Sequence, residues 1–119
     1  MNLGPFLVSL AVKDINASRT FYETFGFTVI DGAHVNKDFP LQEGQDWLIL
    51  QKDSIGIGLF QGMFNQNILT FHPEDVRGLQ KHLKANGIKL DLEADENSEG
   101  SAHAMLDDPD GNRILLEQI

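Results

Sequence analysis

The chain of 119 residues contains no cysteine, one tryptophan, one tyrosine and four prolines. The absence of cysteine excludes a disulfide scaffold, a thiol nucleophile and cysteine-ligated zinc. Basic residues are also scarce, because nine Lys and Arg stand against 18 Asp and Glu and give a net charge of −9. Nucleic-acid binding needs a basic face, so this balance predicts no nucleic-acid partner.

Long hydrophobic runs are missing as well. No apolar segment reaches the roughly 18 residues of a membrane span, and the N-terminus carries no basic region typical of a signal peptide. We therefore expect no membrane partner and a cytoplasmic location. Five acidic residues lie between Asp91 and Glu99. We interpret this segment as a solvated loop, with an acidic ligand site as the alternative.

What the sequence does contain is a duplication. Asp14 and Gly26 bracket one candidate helix, Asp75 and Gly87 bracket another, and both offsets equal 61 residues. Aspartate is a good helix N-cap, and glycine readily adopts the left-handed conformation that ends a helix. The apolar stripe of the first helix is Ile15, Ser18, Tyr22 and Phe25, and that of the second is Val76, Leu79 and Leu83.

Strand-like segments surround each helix and predict the order β-α-β-β-β, twice. They cover about 6–12, 27–31, 46–51 and 55–61 in the first copy, and about 67–71, 88–92, 102–107 and 112–118 in the second. The sequence thus predicts an α+β fold and one domain, 1–119, made of two modules, about 5–62 and about 66–118. The loop at 32–45 is long enough to be a binding loop, and we leave its role open.

The last two strands join through Asp108-Pro109-Asp110-Gly111, which favours a type I turn with a bulge. If Asp108 pairs with Asn112, opposed residue numbers sum to 220, which places Met105 opposite Leu115 and His103 opposite Glu117. A histidine facing a carboxylate is a candidate acid–base pair, so His103 and Glu117 are the candidate catalytic residues. The alternative is a cross-strand ion pair with no catalytic role.

The duplicated layout, the Asp14-x-x-x-Ser18-x-x-Phe21-Tyr22 opening and the Asp108-Pro109-Asp110-Gly111-Asn112 close resemble the vicinal oxygen chelate superfamily. That superfamily includes glyoxalase I, bleomycin-resistance proteins, epimerases and extradiol dioxygenases. The resemblance covers essentially the whole chain. It implies that the two modules form an open cup-shaped barrel with the ligand between them, and that the protein pairs as a homodimer.

Enzymes of this family usually hold a metal ion on four inward-facing strand positions. By the family pattern these positions are Leu7, Gly58, Ile68 and Leu115 here, and none of them carries a nitrogen or oxygen donor. We therefore expect no metal site and no cofactor. A divalent metal would be required only if the protein is, alternatively, an enzyme of the glyoxalase, dioxygenase or epimerase type.

Side chains two apart on a strand share a face, so further residues should line the same cup. The candidate ligand-binding residues are Leu7, Ser9, Trp47, Gly58, Phe60, Ile68, Thr70, Met105 and Leu115. Trp47 could offer an aromatic platform or belong to the core. The favoured hypothesis is a metal-free protein that binds a small organic molecule. Among the other histidines, we interpret His34 as a loop residue, His72 as a cap or loop residue and His82 as solvated.

Overall fold

The computed structural model describes residues 2–34 and 41–119. By contacts, the chain divides into two compact units. The N-terminal unit is Leu7–Asn67, and the C-terminal unit combines the residues up to Phe6 with Ile68–Ile119. No helix in the described part of the chain is both long enough and apolar enough to cross a membrane.

The N-terminal unit consists of one helix packed on four strands. Its elements are β1 (Phe6–Val12), α1 (Ile15–Thr24), β2 (Thr28–Gly32), β3 (Asp46–Lys52) and β4 (Ile55–Gln61). The strand order is β2-β3-β4-β1, with β1 parallel to β4 and the other pairs antiparallel. The buried core under α1 is Ile15, Leu48, Leu50, Ile57 and Leu59.

The C-terminal unit repeats this plan with one strand fewer. Its elements are β5 (Ile68–Phe71), α2 (Val76–Ala85), β6 (Ala102–Asp107) and β7 (Arg113–Gln118). The order is β5-β7-β6, with β5 parallel to β7 and β6 antiparallel to it. The core under α2 is Val76, Leu79, Ala102, Ala104, Leu106 and Leu116. The predicted α+β class is confirmed.

Both helix boundaries follow from their capping residues, as predicted. Asp14 accepts hydrogen bonds from the amides of Asn16 and Ala17, and Asp75 accepts one from Gly78 at 2.9 Å. A glycine with positive φ follows each helix, at 97° for Gly26 and 81° for Gly87. The prediction that Phe25 belongs to the buried apolar stripe of α1 is wrong. Phe25 is the C-cap residue of the helix, and it is 60% exposed.

A pair of glutamines, not foreseen from the sequence, ties each helix to the last strand of its unit. The side-chain oxygen of Gln61 accepts from the amide of Ile15 at 2.9 Å, and that of Gln118 accepts from Val76 at the same distance. Each satisfies a first-turn amide that has no partner within its helix. Each strand is thereby joined to the start of the helix that covers one face of its sheet.

The predicted strand at 88–92 is wrong: only Leu92 pairs, in an isolated bridge with Met105. Beyond Leu92, the backbone forms hydrogen bonds with a side chain of α2 instead of with β6. Gln80, which is fully buried, donates to the carbonyl of Ala94 at 3.1 Å and accepts from its amide at 2.7 Å. Because Ala94 satisfies its backbone groups on a helix side chain, the ladder with β6 does not continue.

We expect Gln80→Met to destabilise the protein by about 2–4 kcal/mol, because it leaves both backbone groups of Ala94 without their partner. Urea unfolding followed by circular dichroism measures this change. The matched control is Gln51→Met at an exposed strand position, where we expect a change of no more than about 0.5 kcal/mol. Equal effects of the two substitutions would show that Gln80 does not anchor the segment.

Candidate functional site

The candidate site residues of the N-terminal unit lie on the sheet face opposite α1. On this face Ser9, Gly58 and Ile49 stand in one row across three strands, and Ala11, Phe60 and Trp47 stand in the next. The Trp47 and Phe60 rings stack with their centroids 6.4 Å apart and their planes within 11°. Phe64 extends this aromatic cluster, with its centroid 5.2 Å from that of Phe60.

Burial on this face is high. Ser9 is 4% exposed and Trp47 is 8% exposed, while Leu7 and Phe60 are half-buried. Trp47 therefore belongs to the packed interior as well as to the candidate platform. A flat ligand would reach the aromatic cluster through Phe60, whose ring is the more accessible of the stacked pair.

The C-terminal unit presents a matching face opposite α2. Thr70, Leu115 and Met105 form one row, and Ile68, Arg113 and Asp107 form the row beside it. The predicted register is confirmed, because Met105 pairs with Leu115 and His103 pairs with Glu117. Ile68 and Thr70 are buried, whereas His103 is exposed. The sequence thus predicted which residues share this face, although the pairing does not assign them a chemical role.

The four positions where the family pattern implies metal ligands do not fit a metal ion. Leu7, Gly58, Ile68 and Leu115 supply hydrocarbon or no side chain at all. At Gly58 a Cβ atom would lie 2.5 Å from Cε2 of Phe60 and 3.3 Å from Cδ2 of Leu7. A carboxylate could therefore not replace this glycine without displacing the Phe60 ring. Within residues 2–34 and 41–119, no three His, Asp or Glu side chains come together as a metal-binding group.

Glu117 contacts His72, which the sequence predicts to be a cap or loop residue. The Nε2 atom of His72 lies 3.4 Å from Oε1 of Glu117. The other ring nitrogen, Nδ1, lies 3.3 Å from the carbonyl oxygen of Pro5, and the same oxygen accepts from the His72 amide at 3.0 Å. His72 follows Thr70 by two positions, so the period of a strand predicts that they share a face, but only the pairing of β5 with β7 brings His72 beside Glu117.

A cleft of about 440 Å³ opens beside this pair. Its walls are Pro5, Pro73 and Ile119, and its polar lining consists of His72, Glu74, Glu117 and Gln118. All these residues belong to the C-terminal unit. The cleft therefore brings together the candidate residue Glu117 and a histidine other than His103.

Ion pairs anchor the acidic segment between Asp91 and Glu99 to α2 and β7. Arg113 contacts the carboxylates of Asp91 and Asp107. Both hydrogen bonds raise the pKa of its guanidinium, and the one with Asp91 has the larger effect. Lys84 pairs with Glu93 at 2.8 Å, which raises the pKa of Lys84. The hydrogen bond from Gln80 lowers the pKa of Glu96. The segment is thus fastened to α2 and β7 by side chains as well as solvated.

The predicted binding loop at 32–45 falls in part outside the described residues, which omit 35–40. At its start, His34 is exposed. At its end, the carbonyl oxygen of Gly44 accepts from the Gln61 side chain at 3.2 Å. The C-terminal end of the loop is therefore joined to the glutamine that also caps α1.

Comparison with known proteins supports the fold. A family model described as "Glyoxalase/Bleomycin resistance protein/Dioxygenase superfamily" matches residues 4–116. A search of curated proteins found no match. The solved structures that resemble the chain, given next, are all less than 25% identical to it and bear on the fold alone.

A superfamily member from Vibrio splendidus 12B01 is 20% identical with a TM-score of 0.63, over 96% of this chain and 97% of that one. A hypothetical protein from Bacillus halodurans C-125 is 13% identical with a TM-score of 0.71, over 99% and 94%. The 2,3-dioxygenase LapB from Pseudomonas sp. KL28 is 16% identical with a TM-score of 0.56, over 99% of this chain and 42% of LapB.

We expect Gly58→Ala to destabilise the protein by about 1–3 kcal/mol, because the added methyl group meets the Phe60 ring. The emission of the single tryptophan, Trp47, should change at the same time, because Trp47 stacks on that ring. The double variant Gly58→Ala/Phe60→Leu removes the clashing ring atom and should be less destabilised than the two single effects added together. If urea unfolding shows that the destabilisation of the double variant equals the sum of the two single destabilisations, the contact between residue 58 and the Phe60 ring is contradicted.

Proposed function

Because the chain belongs to the Glyoxalase/Bleomycin resistance protein/Dioxygenase superfamily, we propose that it binds a small organic molecule without a resident metal ion. The ligand would lie against the sheet faces opposite α1 and α2. The residues proposed to contact it are Leu7, Ser9, Trp47, Gly58, Phe60, Ile68, Thr70, Met105 and Leu115.

The single observation that carries this proposal is the chemistry at the four family ligand positions. Leu7, Ile68 and Leu115 offer hydrocarbon, and the space beside Gly58 is filled by Phe60. Divalent metals in proteins need several nitrogen, oxygen or sulfur donors. An apolar and aromatic surface suits the body of an organic ligand instead, since most of the lining of small-molecule sites is apolar. The net charge of −9 favours a cationic ligand.

A second candidate function is catalysis of the glyoxalase, lyase, dioxygenase or epimerase type. The observation that favours it is the presence of two histidines beside one carboxylate: His103 pairs with Glu117 across β6 and β7, and His72 lies 3.4 Å from the Glu117 carboxylate. Imidazole and carboxylate are the groups most often used for proton transfer. In this candidate function, His103→Ala would abolish turnover of a substrate and leave the fold intact.

We further propose a homodimer in the cytoplasm. Ile30 on β2, at the outer end of the strand order of the N-terminal unit, is 55% exposed. Strands at sheet edges are available for pairing with another chain, which supports association of two copies. The cysteine-free composition suits a reducing compartment.

We expect protein purified without chelator to contain far less than one zinc, nickel, iron or manganese ion per chain, as measured by elemental analysis. Titration with each divalent ion should leave the melting temperature unchanged, whereas a bound organic ligand should raise it. A library of small organic molecules, read by thermal shift and Trp47 emission, should yield saturable ligands. One tightly bound metal ion per chain would refute the metal-free proposal and favour the enzyme.

A further inference from the structure

We propose that the cleft between His72 and Gln118 binds a small organic ammonium ion, with the Glu117 carboxylate as its counter-ion. The inference goes beyond the proposed function, because none of the residues proposed there to contact the ligand lines this cleft. The cleft holds about 440 Å³, which lies within the usual range of small-molecule sites, roughly 300–1,000 Å³. The rigid rings of Pro5 and Pro73 supply apolar walls for the body of such a ligand.

The polar groups of the cleft favour a ligand that donates hydrogen bonds. Both polar ends of Gln118 already have a partner, because its oxygen accepts from Val76 and its nitrogen donates to the Gly100 carbonyl at 3.1 Å. His72 is held between Pro5 and Glu117. Among the described residues, the polar side-chain atoms of the lining left without a partner are Oε2 of Glu117 and the carboxylate of Glu74. A carboxylate accepts hydrogen bonds, so a ligand must donate them.

The charge of the cleft favours a cation. The basic group beside Glu117 is the imidazole of His72, at 3.4 Å, and no Lys or Arg nitrogen of the described residues lies within 4.0 Å of Glu74 or Glu117. Two amides at the start of α2, which could otherwise attract an anion, already have protein partners: Gln118 accepts from Val76, and Asp75 accepts from Gly78. An anionic ligand would therefore face the carboxylates of Glu74 and Glu117, with these two amides already engaged.

A metal cation fits the cleft less well than an organic one. His72, Glu74 and Glu117 do not form a metal-binding group in the described part of the chain. An ammonium needs no closed ring of donors, because two or three hydrogen bonds and an apolar contact satisfy it. The His72 ring lies 3.4 Å from one oxygen of Glu117, and the other oxygen of this 42% exposed side chain can accept from a ligand.

The test compares three probes that share one ring and differ in charge: benzylammonium, benzyl alcohol and benzoate. Titration of the whole protein is followed by NMR, with the side-chain signals of His72 and Glu117 as reporters. We expect benzylammonium to bind saturably and shift these signals, and the other two probes to leave them unchanged. Glu117→Gln should weaken benzylammonium binding about tenfold or more, since it removes a charge-assisted hydrogen bond.

The matched control is Glu43→Gln, which makes the same change at an exposed position that does not line the cleft. The affinity of this variant should stay within about twofold, since an exposed charge outside the site is screened by salt. Equal binding of benzyl alcohol, or full affinity in Glu117→Gln, would overturn the ammonium site and leave the proposed function standing. Stoichiometric Zn²⁺ binding lost in Glu117→Gln would also overturn it. If neither these probes nor the wider library bind, the proposed function fails as well.

Discussion

The structure depends on one repeated interaction, the hydrogen bond that the first amide of each helix donates to a strand-end glutamine of the same unit. Gln61 makes it to Ile15 and Gln118 makes it to Val76. A helix amide at this position has no partner within the helix. Supplying that partner from the last strand fixes where the helix starts relative to the sheet. It therefore helps to hold each helix over the apolar face of its sheet.

The two sheet faces opposite the helices differ in chemistry. In the N-terminal unit the face is aromatic, and the ring of Phe60 fills the space beside Gly58. In the C-terminal unit the face combines apolar rows with charged groups at its ends, Arg113 at one and Glu117 at the other. The two copies have thus diverged in the side chains of this face while keeping the same backbone plan. A binding function that uses apolar contact and one carboxylate needs no more than these groups.

The acidic segment shows how side chains can replace a strand. Gln80 takes both backbone groups of Ala94, and Arg77 donates to the carbonyls of Asp95 and Gly100 at 2.7 and 2.9 Å. A helix that supplies these partners competes with the ladder for the same backbone. The negative charges that looked like a solvated loop are in part the partners of Lys84 and Arg113.

The sequence by itself determined the α+β class, the two helices with their caps, seven of the eight strands and the pairing of His103 with Glu117. These features depend on neighbours in the chain: hydrophobic period, capping residues and a tight turn that sets a register. Tertiary structure alone decided that Gln61 and Gln118 cap helices, that residues 88–92 form a single bridge, and that Glu117 contacts His72. Each of these contacts joins residues 13 to 46 apart in the chain, and such contacts depend on packing geometry, which local periodicity does not encode.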